Sequence, residues 1–161
     1  MHPSKFTIGI VCSVCLGLAG QTTLSPNAPQ DKPAAVSTLD QHQKVWAAAR
    51  PYVEKAKATW PQAKARFLAG LPKGQVFFIT TDLIDMSGRH EYVFVEAHKI
   101  TNTAVEGILA SAINTVSGFR QGQKITIQET SIIDWLISHP DGHEEGNVVG
   151  LFLEQYFQQP H

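Results

Sequence analysis

The side chains that could do chemistry in this chain of 161 residues are a few carboxylates and imidazoles. Glu91 stands in His90-Glu91-Tyr92-Val93-Phe94, and Asp134 stands in Ser131-Ile132-Ile133-Asp134-Trp135. Two carboxylates in one site could act as general acid and base, with His90 or His139 as helper. Such pairs operate within about 10 Å of each other. His139, His143 and Glu144 carry metal-ligand groups, and four-apart histidines share one face of a helix. Here Pro140 and Gly142 lie between them, so that helix is not expected. The sequence therefore predicts no metal and no cofactor. His90 to Phe94 lacks the second histidine of a zinc-protease helix, and there is no serine elbow or phosphate loop.

Each candidate also has a structural reading. Ser131 precedes Asp134 by three residues, the spacing of a capping box with Asp in place of Glu. On that reading Ile132, Trp135 and Leu136 form the apolar stripe of a short helix, and Asp134 faces outward at its positive end. On a strand, Asp134 would instead share a face with Ile132 and Leu136, and would need hydrogen bonds, a partner charge or a proton. Trp135 suits either a core position or a ligand-stacking surface. Glu91 shares a strand face with Val93, Val95 and Ala97, which predicts a salt bridge to Arg89, Arg120 or Lys124. The candidate binding residues are thus Glu91, Asp134, Trp135 and His90.

The elements that must position these groups change period along the chain. Thr38 and Gln41 have capping-box spacing, and a helix is predicted from Leu39 to Arg50, broken or kinked at Pro51. Tyr52 to Thr59 continues it, and Trp60-Pro61 restarts a helix that Gly70 closes. Strands are predicted at residues 76–81, 90–98, 104–109 and 125–127. Turns are expected at Asp85 to Gly88, at Thr101 to Thr103, and at Gly118 and Gly122. On the second strand, Tyr92, Phe94 and Glu96 share one face, and Glu91, Val93, Val95 and Ala97 the other. Val149, Phe152, Leu153 and Tyr156 have helical spacing. The predicted class is α+β: N-terminal helices packed on a twisted antiparallel sheet of four to five strands, with a short C-terminal helix.

The N-terminus reads as a secretory signal. Lys5 precedes an apolar run from Phe6 to Leu18, too short for a bilayer, and Gly17-Leu18-Ala19 offers a cleavage site. Residues 1–19 are therefore assigned as signal peptide, 20–37 as a Pro-rich tether, and 38–161 as one domain. Both cysteines, Cys12 and Cys15, fall within the signal, which leaves the exported chain without a disulfide. The expected location is periplasmic or secreted. Residues 38–70 carry six basic and two acidic side chains, whereas residues 131–161 carry five acids and no Lys or Arg. That pattern predicts two solvated faces in mutual contact. It offers no basic field for nucleic acid and, once the signal is removed, no segment for a membrane.

Several stretches resemble one bacterial family. These are Ala63 to Leu71, Gly88 to Val95, Glu106 to Leu109, Gly122 to Ile127, Ile132 to Trp135 and Glu145-Gly146-Asn147. In this order they are similar to the YegJ-like family, domain of unknown function 2314, over most of residues 60–150. Glu91 and the Asp134-Trp135 pair are the most specific pieces. Members often carry Asn-x-Pro after the third strand, where this chain has Ser111-Ala112-Ile113-Asn114-Thr115. The resemblance implies a small bacterial domain, exported or free-standing, and no particular activity. The expected function is a non-catalytic binding or interaction module for a periplasmic protein or a small ligand. The alternative is a hydrolase or lyase built on Glu91 and Asp134.

Overall fold

A computed structural model describes residues 39–158 together with residues 25, 26, 29 and 34–36. Residues 1–19, read from the sequence as a signal peptide, lie outside the described residues. The chain runs β1 (Ala34–Val36), α1 (Leu39–Ala69), β2 (Val76–Ile84), β3 (His90–Ile100), β4 (Ala104–Leu109), β5 (Lys124–Gln128), β6 (Ile132–Ser138), β7 (Glu144–Gly146) and α2 (Val148–Gln158). This is the α+β class, with more strands than the four or five expected. Part of the stretch read as a tether contributes one of them, because β1 pairs with His90 to Tyr92 at the start of β3.

All neighbours in the sheet are antiparallel, in the order β5-β4-β3-β2-β6-β7, with β1 beside β3. Strand β3 is central, and its first six residues are all buried. The faces alternate as the sequence predicts. Thr80, Asp82, Tyr92 and Phe94 lie on one side, opposite one another across β2 and β3. Ile79, Leu83, Glu91, Val93 and Val95 lie on the other.

Pro51 does not break the first helix, and Pro61 does not start a new one; α1 is one helix of 31 residues with both prolines inside it. The reason is visible in its buried stripe. Val45, Ala49, Val53, Ala56, Trp60 and Ala63 follow at spacings of three and four through both prolines. Pro51 and Pro61 are exposed, so carbonyls that lose an intrahelical donor there face solvent. Burial of the stripe outweighs the roughly 3 kcal/mol that each interior proline costs. The helix serves both faces of the sheet. Its first half packs with Tyr92 and Ile133, and Trp60 and Ala63 pack with Phe77, Ile79 and Val93. Gly70 ends it in the left-handed region at φ 93°, donating its amide to Phe67 O at 3.0 Å. Among the described residues, no helix is long and apolar enough to cross a membrane.

Candidate functional site

Asp134 lies on a strand. Of the two readings of this stretch the strand holds and the short helix is not formed; Ile132 to Ser138 is β6, preceded by a single 3₁₀ turn at Glu129–Ser131. The Ser131–Asp134 spacing is a local signal, and pairing with β2 and β7 overrides it. Asp134 pairs with Thr80 across the sheet and is 1% exposed. Its Oδ1 accepts the amide of Trp135 at 2.8 Å, and its Oδ2 accepts the amide of Val149 at 2.5 Å. The Gly150 amide contributes as well. Val149 and Gly150 are the second and third residues of α2, whose first-turn amides have no partner within the helix. Asp134 thus caps α2 from a neighbouring strand, at the end where the helix dipole favours an anion. Burial raises its pKa from 3.8 to about 6, against the lowering effect of these amides.

The Glu145-Gly146-Asn147 segment completes this joint. Asn147 precedes α2 with φ 53°, and its amide donates to Trp135 O at 2.8 Å. Gly146 has φ 85°, and a Cβ there would lie 2.3 Å from Trp135 O and 2.9 Å from the indole ring. Only glycine lets the chain pass so close beneath Trp135.

Glu91 is fully buried on β3. It makes none of the three expected salt bridges. Its Oε1 accepts the Asn114 amide at 2.8 Å, and its Oε2 accepts those of Thr115 and Val116 at 2.9 and 3.0 Å. The side chain therefore holds the loop after β4. Arg89 turns instead to Asp85, with Nη2 2.7 Å from Oδ2. Asp85 also accepts from Ser87 and Ser117, and these bonds hold its carboxyl well below the usual range.

The two candidate carboxylates do not meet. Glu91 is opposite Leu83 on one face of β2, and Asp134 is opposite Thr80 on the other. Each is engaged by a different stretch of main chain, so the geometry of an acid–base pair is absent.

An open cleft of about 710 Å³ lies along α1 and the start of β6, with Ala56, Trp60, Ile132, Ile133, Asp134 and Trp135 in its wall. Lys57, Asn102, Thr103 and Glu129 add polar groups. Trp60 Nε1 donates to Glu129 Oε1 at 2.7 Å and Trp135 Nε1 donates to Thr59 Oγ1 at 3.0 Å, which fixes both indoles. Lys64 reaches the other oxygen of Glu129 at 2.6 Å. Asp134 borders this cleft with both oxygens already committed to amides.

His90, the fourth sequence candidate, lies elsewhere. Its Nδ1 is 2.8 Å from Asp82 Oδ2, and His42 Nε2 from α1 is 2.9 Å from the same oxygen. The two imidazoles stack with centroids 3.6 Å apart. His42 and Asp82 escape sequence reasoning because 40 residues separate them and no motif links them. The histidine tract after β6 forms a second cluster. His139 and His143 stack at 3.7 Å, and His139 Nε2 is 2.7 Å from Glu145 Oε1. The carboxylate that joins them is Glu145, whereas Glu144 receives Asn147 Nδ2 at 2.8 Å. Arg66 grips Glu145 with two bonds of 2.7 and 3.0 Å, and with His139 lowers its pKa to about 2. This pair joins the basic helix to the acidic C-terminal segment, the mutual contact that the charge pattern predicts.

A family model described as an uncharacterized protein conserved in bacteria (DUF2314) matches residues 43–159. The chain belongs to this family. The match spans every side chain of the site described above except His42. No curated protein and no solved structure matches the chain. Within this DUF2314 domain, the Asp134-Trp135 and Glu145-Gly146-Asn147 pieces have a common physical role, since together they seat α2 against β6.

Proposed function

We propose that this DUF2314 protein is an exported, non-catalytic binding domain whose ligand site is the cleft beside Trp60 and Trp135. One observation carries the reading: Glu91 and Asp134 both direct their oxygens to main-chain amides, while the adjoining cleft presents two fixed indoles. A buried carboxylate bonded to main-chain amides is held in place by the backbone, and taking up a substrate proton would weaken those bonds. The cleft has the volume and the mixed lining of small-molecule sites, with an apolar wall and a few polar groups for orientation. A flat, amphipathic ligand would lie against the indoles, with Lys57 and Asn102 to fix its polar end. Export rests on Lys5, the apolar run Phe6–Leu18 and the small residues that follow it.

The test is a fragment screen by NMR with a panel of aromatic and amphipathic acids, observed at the Trp indole N–H and Ile methyl signals. Shifts are expected at Trp60, Trp135, Ile132 and Ile133, and Lys57→Glu should weaken the acidic fragments. Shifts confined to another surface, or turnover of a fragment, would contradict the reading. N-terminal sequencing of the exported protein tests the signal, with a start at Gly20 expected.

A further inference from the structure

We propose a second site, independent of the cleft: His42, Asp82 and His90 form a binding centre for one divalent transition-metal ion of the zinc class. Three elements, α1, β2 and β3, each deliver one donor there. The donor atoms all lie within 4.8 Å of one another. Two ring nitrogens converge on Asp82 Oδ2 at 2.8 and 2.9 Å. Donors about 2.1 Å from a common ion stand about 3.0 Å apart at right angles and about 3.4 Å apart in a tetrahedron. The two nitrogen–oxygen spacings are within about 0.2 Å of the right-angle value, and a rotation of the stacked rings would turn both nitrogens toward one ion. Two imidazoles and one carboxylate suit zinc, nickel, copper or iron, and not the all-oxygen sites of calcium and magnesium.

A second observation separates this cluster from an ordinary hydrogen-bonded triad. Asp82 Oδ1 is buried and has no hydrogen-bond partner among the described residues. The hydroxyl of Tyr92, which pairs with Asp82 across the sheet, is also buried and without a partner. Buried polar atoms without protein partners are uncommon, and a bound ion is one of the groups that satisfies them. The rings of His42 and Tyr92 stack 6.0 Å apart, so the phenol lies beside the cluster. The side chains of His42, Asp82 and His90 are 15, 17 and 10% exposed, enough to exclude most water while leaving an entry. The His139–His143–Glu145 cluster has the same donor types but is a poorer site. Its carboxylate is already neutralised by Arg66, and a guanidinium at that distance repels a dication.

The test uses the untagged chain stripped of metal and titrated with zinc chloride in a calorimeter, with calcium chloride as control. One equivalent of zinc, and no calcium, should bind. Thermal unfolding should shift upward on adding zinc. Cobalt(II) at the same site should give a visible absorption band that zinc displaces. His42→Gln and Asp82→Asn should each lower zinc affinity by at least about a hundredfold and abolish the thermal shift. His143→Ala should change neither. Circular dichroism of the metal-free variants establishes that they are folded, and His42→Gln, near the start of α1 and outside the sheet, is the safer of the two. No zinc binding by the folded wild-type chain would overturn the proposal. So would zinc binding that survives His42→Gln and Asp82→Asn but is lost in His143→Ala.

Discussion

Asp134 and Asp82 have the same side chain and point to the same face of the sheet. Thr80, which pairs with Asp134, is only two residues from Asp82 along β2. Their partners make them different. Asp134 receives the amides of Trp135 and Val149, which are fixed parts of a strand and a helix. Asp82 receives two imidazoles and keeps one oxygen without a partner. Amide donors cannot leave without unfolding the segment that carries them, so such a carboxylate is part of the scaffold. Imidazoles can rotate, titrate or exchange a proton for a metal, so such a carboxylate is available to bind. Glu91, with three amides, stands at the scaffold end of this comparison.

Substitutions that remove scaffold carboxylates should have the largest effects. Glu91→Ala leaves three amides without their acceptor, each worth about 1–3 kcal/mol when buried. We expect urea denaturation to show a loss of about 4 kcal/mol or more, up to failure to fold. A Glu91→Ala protein of near wild-type stability would place Glu91 among the binding residues instead.

Asp134→Ala uncaps α2 and should cost about 3 kcal/mol, with reduced helicity in circular dichroism. Its titration adds a sign. A carboxyl raised from 3.8 to about 6 contributes stability that is fully present below about 3.8 and is lost as pH rises through about 6. Stability curves of wild type and Asp134→Asn, measured from pH 4 to pH 7, should therefore differ in slope, with the fall over this window flattened in the variant. Equal slopes would mean that Asp134 titrates alike in the folded and unfolded chain.

Gly146→Ala places a methyl against Trp135 O and strains a left-handed residue; about 1–3 kcal/mol of destabilisation is expected by thermal unfolding. At the small end is Arg66→Ala. Its ion pair with Glu145 is 44 and 35% exposed, and such pairs contribute less than about 1 kcal/mol. A larger loss would move the Arg66–Glu145 junction into the scaffold.

Much of the fold is legible in the sequence because it is written in short-range signals. The turns at Asp85 to Gly88 and Thr101 to Thr103, and the alternating faces of β3, follow from local residue types. Where local and long-range signals compete, the local reading fails. Pro51 and Pro61 suggest helix ends, yet the six-residue buried stripe from Val45 to Ala63 runs through them. Ser131 to Asp134 has the spacing of a helix start, but β6 is buried on both faces, which erases the alternation that marks a strand. The candidate residues divide in the same way. Glu91, Asp134 and Trp135 stand out by type and position, but their roles depend on amides 15 to 25 residues away. The His42–Asp82–His90 centre depends on a helix crossing two strands, and no spacing along the chain encodes it.

The central claim is that Glu91 and Asp134 hold main chain and perform no reaction, and amide hydrogen exchange tests it most directly. The amides of Asn114, Thr115, Val116, Trp135 and Val149 should exchange slowly in the wild-type protein. In Asp134→Ala, Trp135 and Val149 should lose protection selectively, while the three amides bound by Glu91 keep theirs. Fast exchange at these five amides in an otherwise protected wild-type sheet would contradict the account and return both carboxylates to the list of reactive groups.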